Sequence, residues 1–153
     1  MSACELCEQE GGRVVVSGSR WRLVRVLDDY FPAFYRVIST LHTTEFSDLD
    51  AQGRTECMEL VASVEREMRL ALKPTKINLA SLGNVVPHLH WHVVARFDWD
   101  THFPHPIWAA PQRDPQHERL SWLRAALEPL DQALALTACW NAHAVGQGIG
   151  ESQ

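Results

Sequence analysis

Three histidines occupy alternate positions in the segment PHLHWHVV, which spans residues 87–94 of this 153-residue chain. Side chains alternate between the two faces of a β-strand, so His88, His90 and His92 are predicted to share one face. The pattern predicts a strand over His88–Phe97 with apolar residues on its other face. Two interpretations are open: a functional row of imidazoles, or histidines that are solvated or hydrogen-bonded within a core.

The spacing of the three histidines disfavours a single metal ion bound by all of them. His88 and His92 are four residues apart, which is about 13 Å along an extended strand. Zinc holds its ligating nitrogens at only about 2.0–2.1 Å, so the outer pair cannot readily share one ion. We therefore expect different roles for the three side chains. A row of imidazoles suits phosphoryl chemistry, because neutral histidine is a nucleophile and protonated histidine neutralises phosphate oxygens.

Length and composition restrict the class of protein. The length predicts one domain, which we place at residues 1–140, followed by a frayed tail at residues 141–153. Lys and Arg total 14 against 19 Asp and Glu, a net charge of −5 without a basic cluster, which makes duplex nucleic acid a poor partner. The chain has no apolar run near the roughly 20 residues of a membrane helix and no signal sequence at its start. We expect a cytoplasmic protein that does not bind a membrane.

Two helices and four further strands are predicted from local patterns. Runs rich in β-branched and aromatic residues predict the strands Arg13–Ser17, Trp21–Leu27, Phe34–Ser39 and Lys76–Ala80. A long helix is predicted from Ser47, as its N-cap, to Pro74. Its apolar stripe comprises Cys57, Leu60, Val61, Val64, Met68 and Leu72. A second helix is predicted over residues 116–135, kinked or divided at Pro129, after a proline-rich loop at residues 98–115.

The residues around the triad carry a family resemblance. Val93 and Val94 follow the histidines directly, and Gly83-Asn84 precedes the first histidine by five residues. In these features the chain resembles the histidine triad (HIT) family of nucleotide hydrolases and transferases, whose signature is His-x-His-x-His followed by two apolar residues. Asn78 and Arg96 also match common family positions, whereas Ala95 replaces the usual proline. The resemblance, which extends from Cys4 to Arg96, implies an α+β fold: an antiparallel sheet of about five strands with a long packed helix, followed here by a C-terminal helix.

The resemblance also implies a function and a set of roles. His90, the middle histidine, would attack the α-phosphorus of a nucleotide and form a covalent nucleotidyl intermediate, with His92 contacting the phosphate and assisting the leaving group. Asn84 and the backbone near Gly83 would hold phosphate oxygens. The implied activity is that of a nucleotide phosphoanhydride hydrolase or nucleotidyl transferase, with dinucleoside polyphosphates as one substrate class, in a homodimer. A zinc-stabilised nucleotide-binding protein with little turnover is the alternative.

Two positions differ from the family or have more than one interpretation. Where family members commonly have Pro-Gly-His, this chain has Pro32-Ala33-Phe34, so an accessory histidine is absent. This loss affects the expected hydrogen bonding around the active-site histidines more than the fold. Asp28 stands where the family places an acid that binds ribose hydroxyls, and it is equally interpreted as a residue that ends a strand in a turn.

Cysteines near the N-terminus suggest a metal site. Cys4 and Cys7 form a C-x-x-C pair, which alone indicates half a zinc site, a redox pair or free thiols. Several HIT relatives complete such a pair with histidines that correspond here to His42 and His88, and this resemblance implies a closed structural zinc site that ties the N-terminus to the sheet. Cys57 is predicted to be in the core, and Cys139 has no partner that the sequence indicates.

Other aromatic residues and histidines could approach a ligand. Trp91 and Trp99 are candidates to stack on a base, although a tryptophan on a strand usually faces a core. His102 and His105, in the proline-rich loop, could lean over a ligand, but solvated loop positions are expected.

Overall fold

A computed structural model describes residues 4–137 and Trp140. The sheet has five antiparallel strands in the order β1-β2-β3-β5-β4, namely β1 (Arg13–Ser17), β2 (Trp21–Arg25), β3 (Phe34–Ser39), β4 (Lys76–Ala80) and β5 (His90–Arg96). The helices are α1 (Glu5–Glu8), α2 (Ala51–Leu72), α3 (His117–Ala125) and α4 (Leu127–Ala135), with a 3₁₀ turn at Phe46–Asp48. The predicted α+β class and strand number are confirmed. The predicted tail at residues 141–153 and Cys139 lie outside the described residues.

The two faces of the sheet have different environments. Tyr35, Val37 and Val93 point to the face that packs against α2 and α4 and forms the main core. The predicted apolar stripe of α2 is buried along its whole length. On the opposite face, Leu6 of α1 packs against Val24 and Ile38 and covers only part of the sheet. The remainder of that face is available for a site.

Several predicted boundaries shift in the structure. Strand β2 ends at Arg25 instead of Leu27, and β5 begins at His90, so His88 precedes the strand. The predicted N-cap Ser47 is wrong, because Ser47 lies in the 3₁₀ turn and Asp50 caps α2 by accepting a 2.6 Å hydrogen bond from the Gly53 amide. Lys73 ends the helix in a left-handed conformation just before Pro74.

The C-terminal helix is divided into α3 and α4 at Ala126, three residues before Pro129. Pro129 thus lies in the first turn of α4, where its missing amide hydrogen costs no helical hydrogen bond. The position of the break was predicted three residues too late. Within the described part of the chain, none of the helices combines the length and apolarity needed to cross a bilayer.

A buried polar cluster attaches α4 to the sheet. The Tyr35 hydroxyl donates a 2.8 Å hydrogen bond to Asp131, and Arg25 Nε lies 3.0 Å from the same carboxylate. Burial, and then the charge of Asp131, raise the pKa of Tyr35 well above its usual range, so the phenol stays a donor. The cluster holds α4 against the face of the sheet opposite to the triad histidines.

Candidate functional site

Strand β5 places His90 and His92 on the partly covered face of the sheet. Strand register sets Ile38 of β3 opposite His90 and Arg36 opposite His92. Both imidazoles are largely buried, with exposed fractions of 7% for His90 and 4% for His92. Their ring centroids are 4.8 Å apart, with the planes nearly perpendicular. The two-residue period of the strand therefore delivers two adjacent imidazoles to one cleft.

The hydrogen bonding of His90 defines its tautomer. Its Nδ1 lies 2.6 Å from the backbone carbonyl oxygen of His88, which can only accept, so Nδ1 carries the hydrogen. Burial lowers the pKa of His90, and the nearby positive charge of Arg36 acts in the same direction. The neutral ring therefore has an unprotonated Nε2, which is the state that a nucleophilic histidine requires.

His92 has a different environment. Its Nδ1 is buried and has no hydrogen-bond partner among the described residues. Burial, followed by the charges of His90 and Arg36, lowers the pKa of His92 to about 3. The rings of Phe34 and Trp108 lie 5.3 and 5.2 Å from its centroid. Phe34, which the resemblance to the HIT family sets at the position of an accessory histidine, presents an apolar ring to His92.

These histidines open onto a cleft of about 510 Å³. Its walls are the β4–β5 loop, the α1 helix, strands β3 and β5, and the proline-rich loop, contributing Glu5, Leu6, Arg36, Leu82, Gly83, Asn84, Val85, Val86, His90, His92 and Trp108. Gly83 has φ +79°, a left-handed conformation that glycine adopts without strain. The structure thus brings together four predicted site residues: Gly83, Asn84, His90 and His92.

Two other predicted substrate residues lie elsewhere. Asn78 does not line the cleft, and its Oδ1 accepts a 2.7 Å hydrogen bond from Arg96. Asp28 Oδ1 accepts hydrogen bonds of 2.8 Å from the amides of Tyr30 and Phe31, and Asp28 lines a separate hollow together with Arg124. In this structure both side chains stabilise local structure.

His88 is separated from the other two triad histidines and faces the cysteines. Its Nδ1 lies 3.4 Å from Cys4 Sγ and 3.5 Å from Cys7 Sγ, and Cys7 Sγ lies 3.4 Å from His42 Nδ1. The ligand atoms of all four residues lie within 4.8 Å of one another. In a tetrahedral zinc site, the bond lengths of about 2.3 Å to sulfur and 2.05 Å to nitrogen separate the two atoms by about 3.6 Å. The three sulfur–nitrogen separations of 3.4–3.5 Å fit that geometry.

A second contact of His88 also suits metal binding. Its Nε2 donates a 2.7 Å hydrogen bond to the backbone carbonyl of Ser39, which leaves the Nδ1 lone pair directed at the cysteines. His88 is fully buried, whereas Cys7 and His42 are exposed. The four residues therefore form a preshaped donor set that connects the α1 segment, the loop after β3 and the segment just before β5.

Among the cleft residues that the sequence did not predict, Arg36 and Trp108 lie directly beside His92. Arg36 could have been found from strand alternation, because it shares the face of β3 that lies next to the triad strand. Trp108 has no local signal, since it lies in the proline-rich loop. That loop is held by Arg96, which bonds both oxygens of Asp100 at 2.8 and 3.0 Å and the carbonyl oxygen of His105 at 2.7 Å.

The other candidates lie away from the cleft. Trp91 packs against the main core, and the Trp99 ring stacks on Phe97 with centroids 4.9 Å apart. His102 contacts the Phe31 ring, and His105 is exposed. Trp108 is the aromatic residue that contacts His92 from the loop.

Comparison with known proteins identifies the family. Residues 9–99 match the HIT domain profile, and the chain therefore belongs to the histidine triad family. A histidine triad protein from Bradyrhizobium japonicum is 25% identical with a TM-score of 0.66, covering 84% of this chain and 96% of that chain. No curated protein sequence matches the chain.

Two further solved structures share the fold. A hypothetical histidine triad nucleotide-binding protein from Sulfolobus tokodaii has 20% identity and a TM-score of 0.56, covering 86% of this chain and 91% of that chain. A zinc-bound histidine triad family protein from Mycobacterium smegmatis has 22% identity and a TM-score of 0.56, covering 86% and 97%.

Proposed function

We propose that this protein is a nucleotide phosphoanhydride hydrolase or nucleotidyl transferase that acts at an α-phosphate through His90, with dinucleoside polyphosphates as one substrate class. The main support is the Nδ1 hydrogen bond of His90 to a fixed carbonyl, which leaves Nε2 unprotonated inside a cleft large enough for a ligand. The name of the Sulfolobus tokodaii relative, a nucleotide-binding protein, agrees with this substrate class.

In the proposed reaction, His90 Nε2 forms a bond to the α-phosphorus. The bond between that phosphorus and its bridging oxygen breaks, and the leaving group keeps the electron pair. Water or another acceptor then attacks the nucleotidyl-histidine and restores the free imidazole. Asn84 and the backbone at Gly83 are suited to contact phosphate oxygens, because both line the cleft beside His90. His92, two positions further along the strand and on the same face, contacts the reacting phosphate.

We test this mechanism with His90→Ala and, as a matched control, His105→Ala on the exposed loop. Monophosphate release from ADP and from diadenosine polyphosphates is followed together with ligand affinity. His90→Ala should abolish turnover and leave affinity within a few-fold, because the nucleophile is lost while the cleft remains. Mass spectrometry of acid-quenched parent protein should detect nucleotidylated His90. Turnover of His90→Ala within a few-fold of the parent would exclude the covalent mechanism.

The unpartnered Nδ1 of His92 favours the alternative of a nucleotide-binding protein with little turnover. With Phe34 in place of a hydrogen-bonding residue, nothing within residues 4–137 fixes the orientation of the His92 ring through Nδ1. Affinity for nucleotides without any trapped His90 adduct would support this alternative over the hydrolase.

The resemblance supports two further proposals, a zinc ion at Cys4, Cys7, His42 and His88 and a homodimer. Zinc would serve a structural role there, since all four positions are filled by protein donors. Purified protein should contain about one zinc per chain, and Cys4→Ser should lose it while Cys57→Ala, outside the donor set, keeps it. Equal zinc in the parent and Cys4→Ser would exclude the site. For the proposed homodimer, light scattering should give the mass of two chains, and the mass of one chain would exclude it.

Asp28 is a further proposal, as an acceptor for ribose hydroxyls. Its Oδ1 already accepts two amide hydrogen bonds, so Oδ2 is the oxygen left for a sugar. A ribonucleotide should then bind more tightly than its deoxy counterpart, and Asp28→Ala should remove most of the difference. An unchanged preference in both Asp28→Ala and Asp29→Ala would mean that neither aspartate contacts the sugar.

A further inference from the structure

Arg36 is a cation on the wall of the cleft with unused hydrogen-bonding capacity. It lies on β3 directly opposite His92. Its Nε is buried and has no hydrogen-bond partner within the described residues, while its Nη1 donates a long hydrogen bond, 3.4 Å, to the Gly11 carbonyl oxygen. Its guanidinium carbon lies 5.4 Å from the centroid of the Phe34 ring. A partly buried guanidinium with open donors is suited to bind an anion.

Other inward-facing arginines of the described chain are fully engaged. Arg22 donates to three backbone carbonyls, and Arg96 makes a bidentate ion pair with Asp100. Within residues 4–137 no carboxylate lies within 4 Å of Arg36. Burial lowers the pKa of Arg36, and the negative charge of Glu5, which lines the same cleft, acts in the opposite direction. The positive charge of Arg36 therefore has no direct partner.

The proposed reaction creates negative charge on a leaving group inside the cleft that Arg36 lines. In an in-line displacement the leaving group departs on the side of phosphorus opposite to His90 Nε2. Strand register puts Arg36 beside His92, two residue pairs along the sheet from His90. Among the described residues that line the cleft, Arg36 is the side chain that always carries a positive charge.

We infer that Arg36 binds a phosphate of the leaving group. The protein would thereby prefer nucleotides whose α-phosphate is followed by another phosphate, and would disfavour nucleotides with a neutral leaving group. This inference rests on the proposed function and names the substrate class of the same site. For a nucleoside diphosphate, the bond from the α-phosphorus to the bridging oxygen breaks as the bond to His90 Nε2 forms, and inorganic phosphate leaves with the electron pair. Arg36 donates hydrogen bonds to that phosphate throughout and transfers no proton.

The test compares ADP with adenosine 5′-phosphoramidate, whose leaving group is neutral ammonia. Arg36→Gln should lower kcat/KM for ADP about 10- to 100-fold, the range expected for loss of a charge-assisted contact, and change kcat/KM for the phosphoramidate less than about 3-fold. Arg36→Lys should recover part of the ADP activity, because it restores the charge without the planar fork. Arg13→Gln, an exposed arginine on the edge strand β1, is the matched control and should behave like the parent.

A second measurement separates this inference from the proposed function. In parent protein ADP should bind at least about 10-fold more tightly than AMP, and Arg36→Gln should bring the two affinities to within about 3-fold. If the parent releases AMP from neither substrate, the proposed turnover fails and this affinity ratio alone decides the role of Arg36. If the parent is active but Arg36→Gln slows both substrates equally, the role of Arg36 is overturned and the hydrolase stands. Equal affinities of the parent for ADP and AMP also overturn it.

Discussion

A substitution that removes the Asp131 carboxylate should strongly destabilise the buried contact between α4 and the sheet. The side chains of Asp131 and Arg25 have exposed fractions of 9% and 11%, and Tyr35 is fully buried. Asp131→Ala leaves the Arg25 guanidinium without its counter-ion and the Tyr35 hydroxyl without its acceptor. Breaking a buried ion pair costs about 3–5 kcal/mol, which is a large part of the stability of an average domain.

Urea denaturation followed by circular dichroism measures this loss. With a slope near 2 kcal/mol per molar urea, the expected midpoint decrease is about 1.5–2.5 M. Asp131→Asn keeps an oxygen acceptor and loses only the charge, so its loss should be smaller, about 1–3 kcal/mol. The ordering of the two variants is as informative as the magnitudes, because helix propensity alone, which favours alanine over asparagine, would reverse it.

The control is Glu128→Ala, which breaks another ion pair between α4 and the sheet. Glu128 lies 3.0 Å from Arg13, but both side chains are more than half exposed. Exposed pairs contribute about 0–1 kcal/mol, so this variant should be almost as stable as the parent. If Asp131→Ala and Glu128→Ala differ by less than about 1 kcal/mol, burial does not control the strength of these contacts and the reasoning is refuted.

Two further predictions concern the cleft. Burial, the largest cause, lowers the pKa of His92 to about 3, so between about pH 3 and 6.5 the unfolded histidine binds a proton that the folded one does not. The free energy of unfolding should therefore rise with pH in that window, by up to about 1.4 kcal/mol per pH unit for this group, and His92→Gln should have a shallower rise; equal slopes would contradict the assignment. Trp108 is half exposed and contacts His92, so Trp108→Ala should weaken nucleotide affinity by the worth of one stacked base, about 1–3 kcal/mol in titration calorimetry. Unchanged affinity would place the base elsewhere.

Elements with a strong local period were predictable from the sequence, and contacts set by tertiary structure were not. The triad strand and the α2 stripe follow from periods of two and about 3.6 residues, so their faces were correct even where their ends moved. The prediction of the α2 N-cap was wrong because Ser47 and Asp50 are both good capping residues and lie within one turn of each other. Only the path of the folded chain selects Asp50. The predicted position of the α3–α4 break was wrong by three residues, because proline is tolerated in the first turn of a helix.

The cleft shows the same limit. Gly83 and Asn84 were predicted through a motif beside the triad, and they do line the cleft. Strand alternation gives the face of Arg36, but its position opposite His92 depends on pairing between strands distant in sequence. Trp108 depends on the folding of the proline-rich loop around Arg96, which no periodicity describes.

Removal of the proposed zinc should reduce turnover only modestly. The metal-binding residues contact the proposed nucleophile, His90, only through the backbone carbonyl of His88, and other hydrogen bonds also hold that carbonyl in place. The His88 ring faces the cysteines, while its carbonyl oxygen accepts the hydrogen bond that orients His90. Without metal, His88 is still held by its hydrogen bond to Ser39, and the Leu89 amide still donates to the Thr43 carbonyl at 2.6 Å. A chelator should thus reduce kcat by less than about 10-fold, since loss of one orienting contact costs roughly 1 kcal/mol, and added zinc should restore it. Hydrogen exchange should increase mainly in residues 4–10, whose other attachments are Leu6 and the hydrogen bonds to Arg22. Complete loss of turnover on chelation, with the sheet still folded, would instead mean that the metal directly supports the nucleophile.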